Sequence, residues 1–283
     1  MTTRTLTRVI PSIAAADGAG VKLRRSLGAQ PGLRVDPFLM LDEFYSDDPD
    51  DYLAGFPTHP HRGFETVTIM LDGHMLHEDH LGNRGDLKPG DVQWMTAARG
   101  ILHSEMPQQR EGRMRGFQLW LNLPSQLKMQ PAAYQDIPAA AIPQVRLDDG
   151  GVVRVIAGNF QTPSGPITTG AVQRPVTEPQ LWDARLEPGS SMEANLPADL
   201  DGFVYLYEGG ATLAEHELPL RSAGLLSGGD QLSIQAGNDG ARLLLIAGRP
   251  LHEPVVQYGP FVMNTREQIE QALADYRDGT LAA

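Results

Sequence analysis

The hydrophobic and polar positions of this chain repeat mostly with the two-residue period of a β-strand. The clearest case is the segment 115–122, in which Phe117, Leu119 and Leu121 share one face. Other short runs are rich in β-branched or aromatic residues and end at Gly, Pro or Asp turns; they cover residues 64–71, 91–95, 152–157, 203–207, 231–235 and 242–247. This pattern predicts an all-β protein built from sandwiches or barrels.

One helix is predicted, near the end of the chain, over residues 265–278. Thr265 and Gln268 have the spacing of a capping box, and Gly279 is a typical helix stop. An apolar stripe with helical spacing lies between them and consists of Ile269, Ala272, Leu273 and Tyr276. We therefore expect an amphipathic helix that packs against the β body.

The composition narrows the chemistry. With 283 residues the chain is long enough for two domains, and 41% hydrophobic with 20% charged residues is typical of a packed protein. The 30 glycines and 22 prolines favour many turns over long helices. Because cysteine is absent, disulfides, thiolate nucleophiles, iron–sulfur clusters and cysteine-ligated zinc are excluded. Any bound metal must be held by His, Asp or Glu.

The net charge argues against a nucleic-acid partner. The chain has 35 acidic and 23 basic residues, a net charge of −12, which repels phosphates. The densest basic cluster, Lys22, Arg24 and Arg25, is short and is interpreted as a solvated face. We predict no membrane span, because no run of 18 apolar residues occurs. The N-terminal apolar stretch is too interrupted to resemble a signal peptide, so a cytoplasmic location is predicted.

Two short motifs carry the candidate chemistry. His59 and His61 form an i, i+2 pair, and so do His103 and Glu105. Residues i and i+2 of a strand point to the same face, so two such pairs on neighbouring strands aim four side chains at one point. Three imidazoles and one carboxylate suit a divalent transition metal and leave two octahedral positions for water, dioxygen or substrate. Iron(II) fits this set, and manganese, nickel, copper and zinc remain open.

The identity of the carboxylate ligand is open at this point. Glu65 also lies an even number of residues from His59 and His61, so an extended chain would place it on the same face. A further set, His74, His77 and His80, has a spacing of three, but Gly residues bracket it as a short strand and turn. These three histidines are interpreted as largely structural.

At these motifs the sequence resembles a known family. The block from His59 to Pro107 begins HPHRGFETVTIMLDG and ends PGDVQWMTAARGILHSEMP, which is similar to the pirin family of the cupin superfamily. Segments 36–44 and 259–265 resemble the same family. The resemblance implies a bicupin, two tandem β-sandwich or barrel domains. It also implies one divalent metal per chain, with iron(II) the first choice and other transition metals open.

The resemblance also assigns the ligands. It implies that His59, His61, His103 and Glu105 hold the metal in the N-terminal domain. General cupins use a glutamate of their first motif, here Glu65, whereas pirins use the later one. We therefore favour Glu105 as ligand and catalytic carboxylate. Glu65 is expected to hydrogen-bond a ligand imidazole or bound water, or to act as the alternative base.

A weak internal repeat suggests that the two domains are not equivalent. Residues 67–73 align with 203–209, and 89–91 with 228–230. Carried along these offsets, the four ligand positions map to Asn195, Pro197, Arg242 and Leu244. We predict a metal-binding N-terminal domain over residues 1–135 and a metal-free C-terminal cupin domain over residues 136–283.

Two functions follow from the resemblance. The first is a quercetin 2,3-dioxygenase-like enzyme that opens a small aromatic, flavonol-like substrate with dioxygen, with Glu105 or Glu65 as general base. Phe56, Trp94 and Trp120 are candidates for its pocket. The second is a metal-dependent, redox-sensing regulator that acts through a protein partner without catalysis. The enzyme is the favoured interpretation.

Overall fold

A computed structural model describes residues 2–283, and it confirms the all-β prediction. The described residues form 24 strands and one α-helix. The helix, α1 (Arg266–Arg277), has 12 residues, and within residues 2–283 no helix is long and apolar enough to cross a membrane.

The strands are short, apart from two long ones. Their bounds are β1 (Leu6–Pro11), β2 (Ile13–Asp17), β3 (Val21–Arg25), β4 (Phe38–Ser46), β5 (Phe56–His61), β6 (Phe64–Asp72), β7 (Met75–Asp79), β8 (Arg84–Leu87), β9 (Val92–Thr96), β10 (Ile101–Pro107), β11 (Met114–Asn122), β12 (Ala133–Ile137), β13 (Gln144–Arg146), β14 (Val152–Ala157), β15 (Asn159–Phe160), β16 (Thr168–Thr169), β17 (Gln180–Leu186), β18 (Ser191–Asn195), β19 (Asp201–Leu213), β20 (His216–Leu218), β21 (Ser222–Leu226), β22 (Gln231–Gly248), β23 (Val256–Tyr258) and β24 (Phe261–Met263).

The chain divides into two compact units. The first unit consists of residues 13–28, 38–139 and 251–283, and the second contains the N-terminal segment as far as Ser12, residues 29–37 and residues 140–250. These units differ from the predicted linear division at residue 135. Strand β1 pairs with β21 of the second unit, and α1 belongs to the first. Periodicity predicts the elements but carries no information about which sheet a terminal segment joins.

The first unit contains two large antiparallel sheets besides the two-stranded hairpin of β23 and β24. The larger has the strand order β12-β9-β6-β11-β4-β3-β2, and the smaller has the order β5-β10-β7-β8. Apolar side chains of the two sheets pack together, among them Phe44 and Met70 from the larger sheet and Met75 and Leu87 from the smaller one. This is the β-barrel-like sandwich expected of a cupin domain.

The C-terminal segment completes the first unit. Helix α1 begins with the predicted capping box of Thr265 and Gln268, and it packs its buried Ile269 and Ala272 against the hairpin of β23 and β24. Arg62, which directly follows β5, donates to Asp275 of the helix at 2.6 Å. Residues 251–283 are therefore tied to the strand that carries the first histidine motif.

The second unit is built around one large sheet. Its order is β1-β21-β19-β22-β17-β14-β13, with β18 beside β22 and β20 beside β19. The runs 231–235 and 242–247, predicted as two strands, are parts of the single strand β22. An extensive apolar core lines one side of this sheet and includes Trp182, Met192, Leu232 and Leu245.

Candidate metal centre

The two histidine motifs lie on neighbouring antiparallel strands. His59 and His61 are on β5, and His103 and Glu105 are on β10. His103 is directly opposite His59 in the register, and Ile101 is opposite His61. The strand pairing therefore brings together residues that are more than 40 positions apart in the sequence.

Gly63 allows the chain to turn from β5 into β6 directly behind the first motif. Its φ of +94° is one that L side chains rarely adopt, and a Cβ atom there would lie 1.9 Å from the carbonyl oxygen of Val262. The end of β5 is thereby fixed against the C-terminal hairpin, which sets the position of His61.

Three imidazoles converge at this point. His59, His61 and His103 each contribute one ring nitrogen, and these three nitrogens lie within 4.8 Å of one another. Within residues 2–283 no other group of three or more His, Cys, Asp or Glu side chains could hold a metal ion. His61 and His103 are 4% and 1% exposed, whereas His59 is half-buried. This arrangement could hold one metal ion.

The hydrogen bonds leave lone pairs directed at that point. Nδ1 of His59 lies 2.9 Å from the carbonyl oxygen of Pro57, which can only accept, so Nδ1 carries the proton and Nε2 is bare. This Nε2 lies 3.1 Å from Nε2 of His61. Nε2 of His103 is buried and has no hydrogen-bond partner among the described residues. A cation satisfies such a cluster, because buried polar atoms are costly without a partner.

Electrostatics also keep these rings available as ligands. Burial, reinforced by neighbouring histidines, holds the pKa of His61 and His103 well below the usual 6.5. Neutral imidazole is the form that binds metal. The site is therefore set for metal binding at neutral pH.

Glu105 lines the same cavity as His59 and His61 but is not a member of the close group of three histidines. Its carboxylate accepts hydrogen bonds from Thr68 Oγ1 at 3.0 Å and from Gln118 Nε2 at 3.1 and 3.3 Å. The side chain is 4% exposed. Glu105 thus presents an oriented carboxylate beside the three imidazoles.

Glu65 occupies a different place from the one expected. The chain turns at Arg62 and Gly63 into another sheet, so even spacing from His59 and His61 does not put Glu65 on their face. It is buried on β6, accepts a 2.6 Å hydrogen bond from Thr96 and does not line the cavity. Its odd spacing from Thr68 on the same strand places it on the opposite face of the sheet.

A cavity of about 620 Å³ opens from the histidines. Phe56 and Trp120 line it as expected, but Trp94 is 1% exposed and belongs to the core instead. Apolar residues Met40, Phe44 and Met75 add to the walls, and the C-terminal hairpin contributes Gly259 and Pro260.

Arg25 corrects the interpretation of the basic cluster. Instead of lying on a solvated face, it lines this cavity and binds Asp42 through two hydrogen bonds of 2.6 and 2.7 Å. Lys22 does remain largely exposed. The sequence offers no sign of the pair, because Arg25 and Asp42 meet only across β3 and β4.

His77 is the residue that sequence reasoning undervalued. It is fully buried, and its Nδ1 lies 3.3 Å from Nδ1 of His103. Its neighbours in the spacing-of-three set differ from it: His74 is half-buried and pairs with Asp86, and His80 Nδ1 accepts from the amide of Leu102. The alternation of β7 was the available signal, because it turns Met75 and His77 to the same side.

Comparison with known proteins identifies this architecture. A family model described as "Pirin" matches residues 20–121, and one described as "Pirin C-terminal cupin domain" matches residues 181–282. A pirin-like protein of Caulobacter vibrioides is 46% identical over 280 residues, which is 99% of each chain. The chain belongs to the pirin family.

Other relatives of this pirin-family protein have names that refer to an activity. A Pseudomonas aeruginosa protein, provisionally named a quercetin 2,3-dioxygenase, is 57% identical over 272 residues, 95% of this chain and 94% of that protein. The crystal structure of a quercetin 2,3-dioxygenase from Acinetobacter baumannii superposes with a TM-score of 0.89 at 33% identity, covering 100% of this chain and 99% of that one. The bicupin fold is thereby confirmed.

The internal repeat of this pirin-family protein is real in topology but differs in register. Strand β6 pairs with β9, and its counterpart β19 pairs with β21, so β21 is the counterpart of β9. Residues 89–91 come directly before β9, but residues 228–230 come directly before β22, whose first part is the counterpart of β10. The mapped positions Asn195, Pro197, Arg242 and Leu244 are therefore not the equivalent ones.

Strand pairing identifies the equivalent positions in the second unit. The β5–β10 pair corresponds to β18 and the first part of β22. The buried residues of these strands are apolar: Met192, Ala194, Leu232 and Ile234. These four residues offer no imidazole or carboxylate. The metal-free second unit stays a prediction, and it now rests on these residues instead of those first mapped.

Proposed function

We propose that this protein is a mononuclear, metal-dependent dioxygenase able to open the ring of flavonols such as quercetin with dioxygen and to release carbon monoxide. The observation that carries the proposal is the convergence of three histidine nitrogens at a cavity that also contains a buried carboxylate and aromatic walls. The names of the Pseudomonas and Acinetobacter relatives support the same substrate class.

His59, His61 and His103 would hold the metal through their Nε2 atoms, with Glu105 as the proposed fourth ligand. A divalent transition metal bound by this nitrogen and oxygen set supplies Lewis-acid and redox chemistry. We propose iron(II) as this metal and the cytoplasm as the compartment.

Glu105 is also the proposed general base. A flavonol must lose its hydroxyl proton before ring opening, and a carboxylate can accept it. Thr68 and Gln118 both donate to this carboxylate and so fix its orientation toward the cavity. The same carboxylate would return the proton as the product leaves.

The cavity walls would position the flat substrate. Phe56 and Trp120 offer ring faces, and Met40 and Met75 offer polarisable, adaptable contacts. A volume of about 620 Å³ falls in the range of small-molecule sites. Burial of an aromatic substrate against these walls also displaces water from the reacting atoms.

Anaerobic reconstitution with iron(II), followed by quercetin in air, tests the proposal. We expect loss of the flavonol absorbance with stoichiometric carbon monoxide release, abolished in His59→Ala and His103→Ala. His216→Ala, at an exposed position on β20, is the matched control and should keep full activity.

Two outcomes would contradict the proposal. Absence of turnover with iron(II), manganese, nickel, copper and zinc in a protein that retains metal would favour the regulator hypothesis. Equal turnover by wild type and His103→Ala would show that the reaction occurs elsewhere.

A further inference from the structure

A continuous row of polar side chains crosses the larger sheet of the first unit. Arg25 on β3 is directly opposite Asp42 on β4, Asp42 is opposite Gln118 on β11, and Gln118 is opposite Thr68 on β6. All four residues line the cavity. Because neighbouring strands are separated by about 4.8 Å, the row is about 14 Å long.

The two ends of this polar row differ in chemistry. At one end, Thr68 and Gln118 donate to Glu105, beside the histidines. At the other end, Arg25 binds both oxygens of Asp42 and, at 2.7 Å, the carboxylate of Asp17. The row therefore connects the candidate reaction centre with a distant guanidinium group.

Arg25 has unused hydrogen-bonding capacity at that distant end. Its Nε and Nη2 atoms donate to Asp42 and Asp17, but Nη1 has no partner within residues 2–283. The fork on Asp42 holds the guanidinium plane in one orientation. The side chain is 21% exposed, so it remains accessible from the cavity.

Apolar rows flank the polar row on both sides. Met40 is opposite Trp120 on one side, and Leu23 is opposite Phe44 on the other. These residues also line the cavity and alternate in phase with the polar row along their strands. The wall is thus a polar stripe between apolar borders, which matches a long, flat aromatic skeleton with oxygen substituents at its two ends.

We propose that Arg25 and Asp17 form a distal subsite for a hydroxyl group on the outer ring of the substrate. Nη1 of Arg25 donates a hydrogen bond to the hydroxyl oxygen, and the carboxylate of Asp17 accepts a hydrogen bond from the same hydroxyl. Asp42 positions the guanidinium and does not itself contact the substrate. This inference rests on the proposed function, since it names which flavonols the same cavity prefers.

Equilibrium binding to the metal-loaded protein without oxygen tests the subsite. The two probes are quercetin, which has hydroxyls on its outer rings, and 3-hydroxyflavone, which has none. Arg25→Lys keeps a cation for Asp42 but loses Nη1, so we expect roughly tenfold weaker quercetin binding, the loss of one hydrogen bond to a charged group. Affinity for 3-hydroxyflavone should change less than twofold.

Two further variants control for folding. Arg24→Lys, on the neighbouring position of β3 that points to the other face, should leave both affinities unchanged. Asp17→Asn, half-exposed, should lower quercetin affinity selectively without disturbing the buried pair. It replaces Arg25→Lys as the decisive variant if that protein does not fold or does not retain metal.

The outcomes separate the two hypotheses. If Arg25→Lys weakens the binding of quercetin and 3-hydroxyflavone equally, or weakens neither, the subsite is overturned while flavonol binding stands. Absence of binding of either flavonol to the wild type overturns the proposed function and the subsite with it. A loss of affinity for quercetin alone supports both the proposed function and the subsite.

Discussion

His77 Nδ1 and His103 Nδ1 face each other at 3.3 Å inside the first unit. Both side chains are buried, so one nitrogen must donate and the other must accept. If His103 directs the lone pair of Nε2 to a metal, its proton lies on Nδ1 and His77 is the acceptor. The proton of His77 then lies on Nε2, which is 3.6 Å from Asp79 Oδ2. This separation is beyond hydrogen-bond distance, so the Asp79 carboxylate favours that proton only through its charge.

Removal of His77, the partner of His103, should weaken metal binding. We expect His77→Phe to lower metal affinity about 10–100-fold, because an outer partner of a ligand histidine fixes its tautomer and basicity. His77→Gln keeps an acceptor oxygen and should restore part of the affinity. Chelator competition on the purified protein measures both values.

The control for this experiment is His74→Gln, since His74 is half-buried and pairs with Asp86 away from the three histidines. If His77→Phe binds metal as tightly as His74→Gln does, His77 has only a packing role.

A second pair of variants tests which glutamate, Glu105 or Glu65, is the carboxylate ligand of the metal. Glu105→Gln should lose metal or bind it at least tenfold more weakly, because Glu105 lines the histidine cavity. Glu65→Gln should retain metal and lose only about 1 kcal/mol of stability, since its carboxylate accepts from Thr96 inside the core. Metal content by elemental analysis and thermal unfolding measure the two effects. Metal retained by Glu105→Gln and lost by Glu65→Gln would reverse the assignment.

Local signals in the sequence were sufficient for the elements and the ligand candidates. Alternation predicts β11, and spacing pairs His59 with His61, because both properties depend only on near neighbours. What the sequence could not supply is register across strands. His77 reaches His103, and Arg25 reaches Asp42, through pairings that no periodicity specifies. The placement of residues 251–283 in the first unit was missed for the same reason.

The buried histidines make a prediction about pH. Burial keeps the pKa of His61 and His103 well below 6.5 in the folded protein, so the unfolded chain binds more protons as the pH falls through 6.5. The metal-free protein should therefore lose stability below this pH, by up to about 1.4 kcal/mol per pH unit for each ring.

Urea unfolding of the metal-free protein between pH 7.5 and 5.5 measures this effect. Burial raises the pKa of Asp42 to about 6, so Asp42 adds stability as the pH falls through that value. The His61 contribution is therefore taken as the difference between wild type and His61→Gln, in which the Asp42 effect cancels. If the free energy of unfolding changes with pH in the same way in wild type and His61→Gln, the prediction is contradicted.

The buried ammonium of Lys128 should support the site from a distance. Its Nζ donates to the carbonyl oxygens of Gly63 and Val262 and to Asn122 Oδ1, at 2.6, 3.0 and 2.6 Å. This links the turn after His61 to strand β24. Lys128→Met leaves three buried acceptors without their donor, and we expect a loss of about 3 kcal/mol in the free energy of unfolding.

The same variant should also release metal more readily, because the end of β5 is no longer tied to the C-terminal hairpin. Lys88→Met, at a largely exposed turn position, is the matched control and should change stability by less than about 0.5 kcal/mol. Denaturant unfolding and metal competition on the two variants measure both effects. If Lys128→Met unfolds earlier but binds metal as tightly as Lys88→Met, Lys128 stabilises the fold without positioning His61.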